Sequence, residues 1–168
     1  IPPLVALVRD GTEEQKEYAA GALWTLGYND ANKVAIAAAG AILPLVTLIR
    51  VGTENQKDYA AAALANLLMN VANRVAIADA GGIPPLVELL RGGTEDQKER
   101  AALALWMLAK NDANKVAIAA AGGIPALMAV HDDGTEEQKE YATGALENLA
   151  TDNDANKAAI AAAGGLLL

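Results

Sequence analysis

The sequence is informative first through the residues that it lacks. It has no cysteine and no phenylalanine, only one histidine, and 4% aromatic residues in total. Without cysteine the chain has no disulfide, no thiolate ligand for a metal and no cysteine nucleophile. The missing cysteine also favours a reducing compartment, so we expect an intracellular protein of the cytoplasm or nucleus.

Positive charge is scarce as well. Thirteen basic residues against twenty-one acidic ones give the 168-residue chain a net charge of −8. An acidic surface repels nucleic acid and anionic membranes, so we expect neither as a partner, whereas a basic partner would fit. The longest apolar stretch, residues 34–49, is too short for a membrane span and is interrupted by Gly40 and Pro44.

The most prominent feature of the sequence is internal repetition. The segment Ile-Pro-Pro-Leu-Val at residues 1–5 returns in similar form at residues 42–46, 83–87 and 124–128. Each step is 41 residues, because 42−1, 83−42 and 124−83 all give 41. A Gly-Thr-Glu turn recurs with the same period, and the last copy carries a one-residue insertion. We infer a single array of four units, at residues 1–41, 42–82, 83–123 and 124–165.

The sequence of each unit predicts three helices and no strand. In the first unit a short helix covers residues 2–8, because proline is tolerated in an opening turn, and Gly11 ends it. Thr12 then caps a longer helix, with Gln15 completing a capping box, and this helix continues to about Leu26.

The third helix of the unit is short. It covers residues 32–39, after a cap at Asn29 or Asp30, and Gly40 ends it. A single unit of this size cannot bury its apolar faces, so the four units must stack around one continuous core. The predicted fold is all-α, a right-handed solenoid of helices.

Three segments of the repeat resemble the armadillo family. They are Ala-Gly-Ala-Ile-Leu-Pro-Leu-Val at residues 39–46, the Gly-Thr-Glu turn, and Ala-Leu-Glu-Asn-Leu-Ala at residues 145–150. The resemblance covers the whole chain. Ile1 corresponds to the start of the second helix of the family's repeat. HEAT repeats, the nearest alternative, usually have two helices per unit and lack the short third one.

The resemblance implies a function in binding. In relatives such as importin-alpha and β-catenin, the long helices line a concave groove, where an asparagine of each Leu-x-Asn-Leu segment holds an extended peptide. By position these asparagines are Asn66 and Asn148 here, whereas the first and third units have Thr25 and Met107 at this position. Four residues earlier, importin-type grooves have tryptophan, whereas this chain has Gly21, Ala62, Leu103 and Gly144. The resemblance therefore argues against a receptor for nuclear localisation signals.

The four copies differ mainly along one stripe of the long helix. Variable positions recur at offsets of 3, 6, 7 and 10 residues, which places them on one helical face. Both tryptophans and all four tyrosines lie in this stripe, and such residues are enriched at binding surfaces. One position changes from Trp24 to Ala65, Trp106 and then Glu147, which a packed core would not tolerate. The predicted peptide-binding residues are Trp24, Thr25, Tyr28, Asn66, Met69, Arg100, Leu103, Trp106, Met107, Lys110, Glu147 and Asn148.

An alternative remains at the first position of the stripe. It holds Tyr18, Tyr59, Arg100 and Tyr141, and tyrosine there could pack between neighbouring helices instead of facing a ligand.

Catalysis is not expected. The sequence shows no glycine-rich phosphate loop, no cluster of metal ligands and no nucleophile paired with a base. His131 replaces Val8, Ile49 and Leu90 of the other units, and no second histidine or cysteine could join it in a metal site. We predict a protein that is not an enzyme and that uses no cofactor.

Two functions follow from these patterns. The first is a protein-binding or peptide-binding module that holds an extended, basic segment in a groove. The second is a structural scaffold, engineered or truncated, without a ligand of its own. Neither end carries a polar capping repeat, so the apolar residues 1–4 and 165–168 favour head-to-tail self-association.

Overall fold

The computed structural model describes residues 1–164. This part of the chain forms twelve helices and no strand, which confirms the predicted all-α fold. It divides into two compact units, residues 1–85 and the part that begins at Leu86. Residues 165–168, which enter the prediction of head-to-tail association, lie outside the described residues.

The first unit repeats a pattern of medium, long and short helices. These are α1 (Pro2–Asp10), α2 (Glu13–Leu26), α3 (Asp30–Ala38), α4 (Ile42–Val51), α5 (Glu54–Leu67) and α6 (Val71–Asp79). The long helix α2 packs against α5, and α1 packs against α4. Alanines such as Ala20 and Ala61 are fully buried on the long helices beside leucines such as Leu23 and Leu64. Small buried side chains let two helices lie close together, so their outer faces form one surface.

The second unit follows the same pattern after α7 (Ile83–Gly92), which spans the boundary between the units. Its helices are α8 (Glu95–Leu108), α9 (Asp112–Ala120), α10 (Gly123–Asp133), α11 (Glu136–Ala150) and α12 (Asp154–Ala162). The long helices α8 and α11 pack against each other, and α10 packs against α11. The last long helix is one residue longer than the others, which accommodates the one-residue insertion. Asp152, just beyond it, adopts a left-handed φ of 54°.

The predicted capping boxes are present at all four long helices, at Thr12, Thr53, Thr94 and Thr135. The capping glutamine also does something that the sequence did not predict. Gln56 Nε2 donates to the carbonyl oxygen of Glu13 at 2.9 Å, and Gln138 Nε2 donates to that of Glu95 at 2.8 Å. One side chain therefore caps its own helix and also hydrogen-bonds to the preceding long helix.

The short helix begins two residues earlier than predicted. Asn29 is its cap, and its Oδ1 accepts from the backbone N–H of Ala31 at 3.0 Å and of Asn32 at 3.2 Å. Gly40 follows the helix in the left-handed region, with a φ of 79°, where glycine has no steric penalty. The predicted stop at this glycine is confirmed.

None of the helices in residues 1–164 is by itself long and apolar enough to cross a membrane. Two consecutive helix pairs, α3 with α4 and α9 with α10, reach that length and composition only together, and each pair is bent by 83°.

Candidate binding surfaces on the long helices

The residues of the variable stripe lie on two pairs of long helices. The first surface, on α2 and α5 and just beyond their ends, comprises Tyr18, Gly21, Trp24, Thr25, Tyr28, Tyr59, Asn66 and Met69. The second surface, on α8 and α11 and just beyond, comprises Arg100, Leu103, Trp106, Lys110, Tyr141, Gly144, Glu147 and Asn148. All predicted site residues in these two groups are exposed or half-buried.

Met107 is the exception, and its prediction as a binding residue is wrong. Its side chain is only 5% exposed and belongs to the core. The equivalent positions hold Thr25, Asn66 and Asn148, whose polar groups stay near the surface. A flexible, apolar methionine side chain gains more from burial than from contact with water.

The two asparagines are partly used inside the protein. Asn66 Nδ2 donates to the carbonyl oxygen of Trp24 at 3.0 Å, and Asn148 Nδ2 donates to that of Trp106 at 3.3 Å. Each bond links a long helix to the preceding one. Among residues 1–164, no group donates to the Oδ1 of either asparagine. The Oδ1 of each amide can therefore accept a hydrogen bond from a ligand, while its Nδ2 links two helices of the protein.

Trp24 is the centre of the first surface. Its ring centroid lies 6.0 Å from that of Tyr59 and 6.1 Å from that of Tyr28. Beside it is an open depression of about 250 Å³, lined by Glu17, Tyr18, Gly21, Trp24, Thr25 and Tyr59. Tyr59 was absent from the predicted site residues, although its position in the variable stripe was a signal for it.

Trp106 is the centre of the second surface. It stacks on Tyr141 with a centroid distance of 5.9 Å and an interplanar angle of 27°. Lys110 Nζ lies 5.0 Å from the centre of the Trp106 ring, within range of a cation–π interaction. A Cβ atom on Gly144 would come within 2.7 Å of Trp106 Nε1, so the tryptophan needs a glycine there.

Negative charge surrounds the Tyr141 ring. Burial raises the pKa of the Tyr141 phenol above its ordinary value of 10.0, and the carboxylates of Glu99, Glu140 and Glu137 raise it further. The same carboxylates disfavour a second anion near the stacked rings and favour a cation. The exposed Glu147 adds a further acidic group to this surface.

His131 takes no part in either surface. It lies on α10 with a side chain 28% exposed, and its Nδ1 is 3.0 Å from Asp132 Oδ1. The residues that it replaces in other units, Val8, Ile49 and Leu90, are buried. Across residues 1–164, no group of three or more histidine, aspartate or glutamate residues could hold a metal ion.

Over 98% of its length, the chain resembles solved engineered proteins and designed armadillo repeat proteins. A Northeast Structural Genomics Consortium engineered protein is 32% identical, with a TM-score of 0.90 and 68% of that chain covered. A designed armadillo repeat protein in complex with peptide (KR)4 is 26% identical, with a TM-score of 0.89 and 70% covered. Computationally designed armadillo repeat proteins for modular peptide recognition are 27% identical, with a TM-score of 0.92 and 71% covered.

The chain itself matches a family model three times. None of the curated proteins matches the chain. The model described as Armadillo/beta-catenin-like repeat matches residues 29–69, 70–110 and 111–151, so each matched repeat starts at the cap of a short helix and runs just past a long one. These repeats cover well over half of the sequence, and the chain belongs to the Armadillo/beta-catenin-like repeat family.

Proposed function

We propose that the chain is a protein-binding module whose first and second surfaces each hold an extended, basic polypeptide segment. The observation that carries this proposal is a combination found on both surfaces. Each has a tryptophan on one long helix, a tyrosine ring from the next, and an asparagine whose Oδ1 is open to a ligand.

The chemistry of the surfaces supports a ligand with both a regular backbone and basic side chains. An open Oδ1 accepts a hydrogen bond from a backbone N–H of an extended segment. Ring faces attract the cationic ends of lysine and arginine and pack against their alkyl stems. The carboxylates near Tyr141 and the net charge of −8 favour the same ligand. A designed relative was solved with peptide (KR)4, which agrees with this class.

A second candidate is a scaffold without its own ligand that associates end to end. The near-identical framework of the repeats and the engineered or designed neighbours support it. Both candidates are non-catalytic and intracellular and need no cofactor, nucleic acid or membrane. The scaffold predicts a mass in light scattering that rises with concentration, whereas the binding module predicts saturable peptide binding by a monomer.

The test is a titration of labelled peptides monitored by fluorescence anisotropy. An extended Lys-Arg peptide is expected to bind at low salt and to weaken as salt rises, while an Asp-Glu peptide of equal length should not bind. Trp24→Ala and Trp106→Ala should each weaken binding, and both should fold, because the second repeat has Ala65 at this position.

Val34→Ala is the matched control, because Val34 is exposed on α3 and belongs to neither surface. Its affinity should equal that of the unsubstituted chain. The proposal would be overturned by equal binding of the two peptides, or by tryptophan variants that bind as well as this control.

A further inference from the structure

We infer that the depression on the first surface is a cage for a methylated ammonium group, carried by a methylated lysine. The inference rests on the proposed function only in that a bound polypeptide would present this lysine. The cage is built around Gly21, with Tyr18 three residues before it and Trp24 three residues after it. Gly21 and both of these aromatic residues line the depression, which is the hollow of the proposed cage.

Tyr59 of α5 closes one side of the hollow. A Cβ atom at Gly21 would stand 3.5 Å from the Tyr59 ring, so this ring borders the space that the missing side chain leaves. Tyr18 is 68% exposed and Trp24 is half-buried, which keeps the hollow open to a side chain from solvent. Three aromatic rings therefore border a space of about 250 Å³.

Besides the aromatic residues, two polar side chains line this hollow, those of Glu17 and Thr25. Glu17 supplies a carboxylate, of which Oε1 accepts from Asn55 Nδ2 at 3.1 Å. The Thr25 hydroxyl donates to the carbonyl oxygen of Gly21 at 3.1 Å, within its own helix. The hollow thus offers a cation one negative charge and several ring faces but few hydrogen-bond acceptors.

This chemistry favours a methylated ammonium over a primary one. A primary ammonium has three N–H donors, and burying them among aromatic rings leaves donors without acceptors. Methylation removes donors, spreads the charge and adds methyl groups that pack on ring faces, as in known aromatic cages for quaternary ammonium ligands. Glu17 compensates the remaining positive charge in either case.

The second surface lacks the cage, although its residues occupy the corresponding positions of later repeats. Leu103 replaces Gly21 and adds a side chain at the corresponding position, and Arg100 replaces Tyr18. The chain's own Lys110 also lies over the Trp106 ring and occupies one of its faces. The preference for a methylated ammonium should therefore be confined to the first surface.

The first experiment uses tetramethylammonium chloride as the probe, with ammonium chloride at equal ionic strength as its control. Nitrogen-15 NMR follows the two indole N–H signals, which Trp24→Phe assigns. Tetramethylammonium should shift the Trp24 signal and leave that of Trp106 in place, whereas ammonium should shift neither. Equal shifts from the two cations, or equal shifts at the two indoles, would overturn the cage.

The second experiment compares one basic peptide with and without trimethylation of a single lysine. The methylated peptide should bind about fivefold more tightly. Gly21→Leu and Tyr18→Arg install the second-surface residues, and each should bring the ratio of the two affinities to about one. The ratio is the readout because both residues belong to the first surface. Tyr18→Arg changes an exposed side chain, so a failure of Gly21→Leu to fold would leave the test intact.

The two experiments separate the cage from the proposed function. If neither peptide binds but tetramethylammonium still shifts Trp24, the peptide function fails and the cage stands. If both peptides bind with equal affinity and tetramethylammonium shifts nothing, the cage fails and the peptide function stands.

Discussion

The first and second surfaces consist of residues at corresponding positions of different repeats, but their chemistry differs. Trp24 stands beside a hollow bordered by tyrosines, whereas Trp106 is stacked on Tyr141 and covered by Lys110. The tryptophan is the same in both, so its neighbours make the difference. What a side chain does in this repeat depends on the residues that face it, above all on whether they are glycine or larger.

The two helical glycines, Gly21 and Gly144, differ in the space that is available beside them. Gly144→Ala should destabilise the chain by about 2 kcal/mol, because its Cβ would overlap the Trp106 ring. Gly21→Ala should instead stabilise it by about 0.5–1 kcal/mol, because its Cβ meets Tyr59 at an ordinary distance and alanine favours a helix.

Guanidinium denaturation followed by circular dichroism measures both changes, and each glycine variant is the control for the other. Shifts of the same sign at both positions would show that helix propensity alone decides them. In that case Gly144 would not be needed to accommodate the Trp106 ring.

A smaller effect tests what the two surfaces share. Asn66→Ala and Asn148→Ala should each cost about 1 kcal/mol, because each removes a side-chain hydrogen bond to the preceding long helix. The free energy of unfolding from denaturant titration is the measurement.

Thr25→Ala is the matched control at the equivalent repeat position. Its hydroxyl bonds only to Gly21 in its own helix, so it should cost less than either asparagine variant. If all three variants cost the same, the asparagine bonds between helices contribute nothing measurable.

The smallest effect concerns the cation over Trp106. Lys110→Met should lower stability by about 0.5 kcal/mol through loss of the cation–π interaction, and Lys110→Arg should retain it. Methionine is the residue of the second repeat at this position, Met69, so it suits the local structure. Thermal unfolding of both variants is the measurement. A loss of equal size in both would assign the effect to packing and not to charge.

Much of the fold could be predicted because its signals are local. The capping boxes pair residues three apart, such as Thr12 with Gln15, and all four are present. The left-handed glycine after each short helix likewise acts on its own turn. The start of α3 was predicted two residues too late, although Asn29, one of the two predicted caps, is its N-cap.

The candidate site could be predicted only as a stripe. Comparing the repeats identified the helical face, but it placed the buried Met107 among the binding residues and left Tyr59 and Tyr141 out. These errors share a cause. A stripe is a property of one helix, whereas burial and ring contact depend on the helix beside it.

The 41-residue period is evident in the sequence alone. The three helices of each repeat and the capping boxes could also be predicted, since they depend on residues within a few positions along the chain. The hydrogen bonds of Gln56 and Asn66 to the preceding long helix, and the need for Gly144 beside Trp106, became apparent only in the folded structure. These contacts join residues about one repeat apart, and they form only once the long helices have packed side by side.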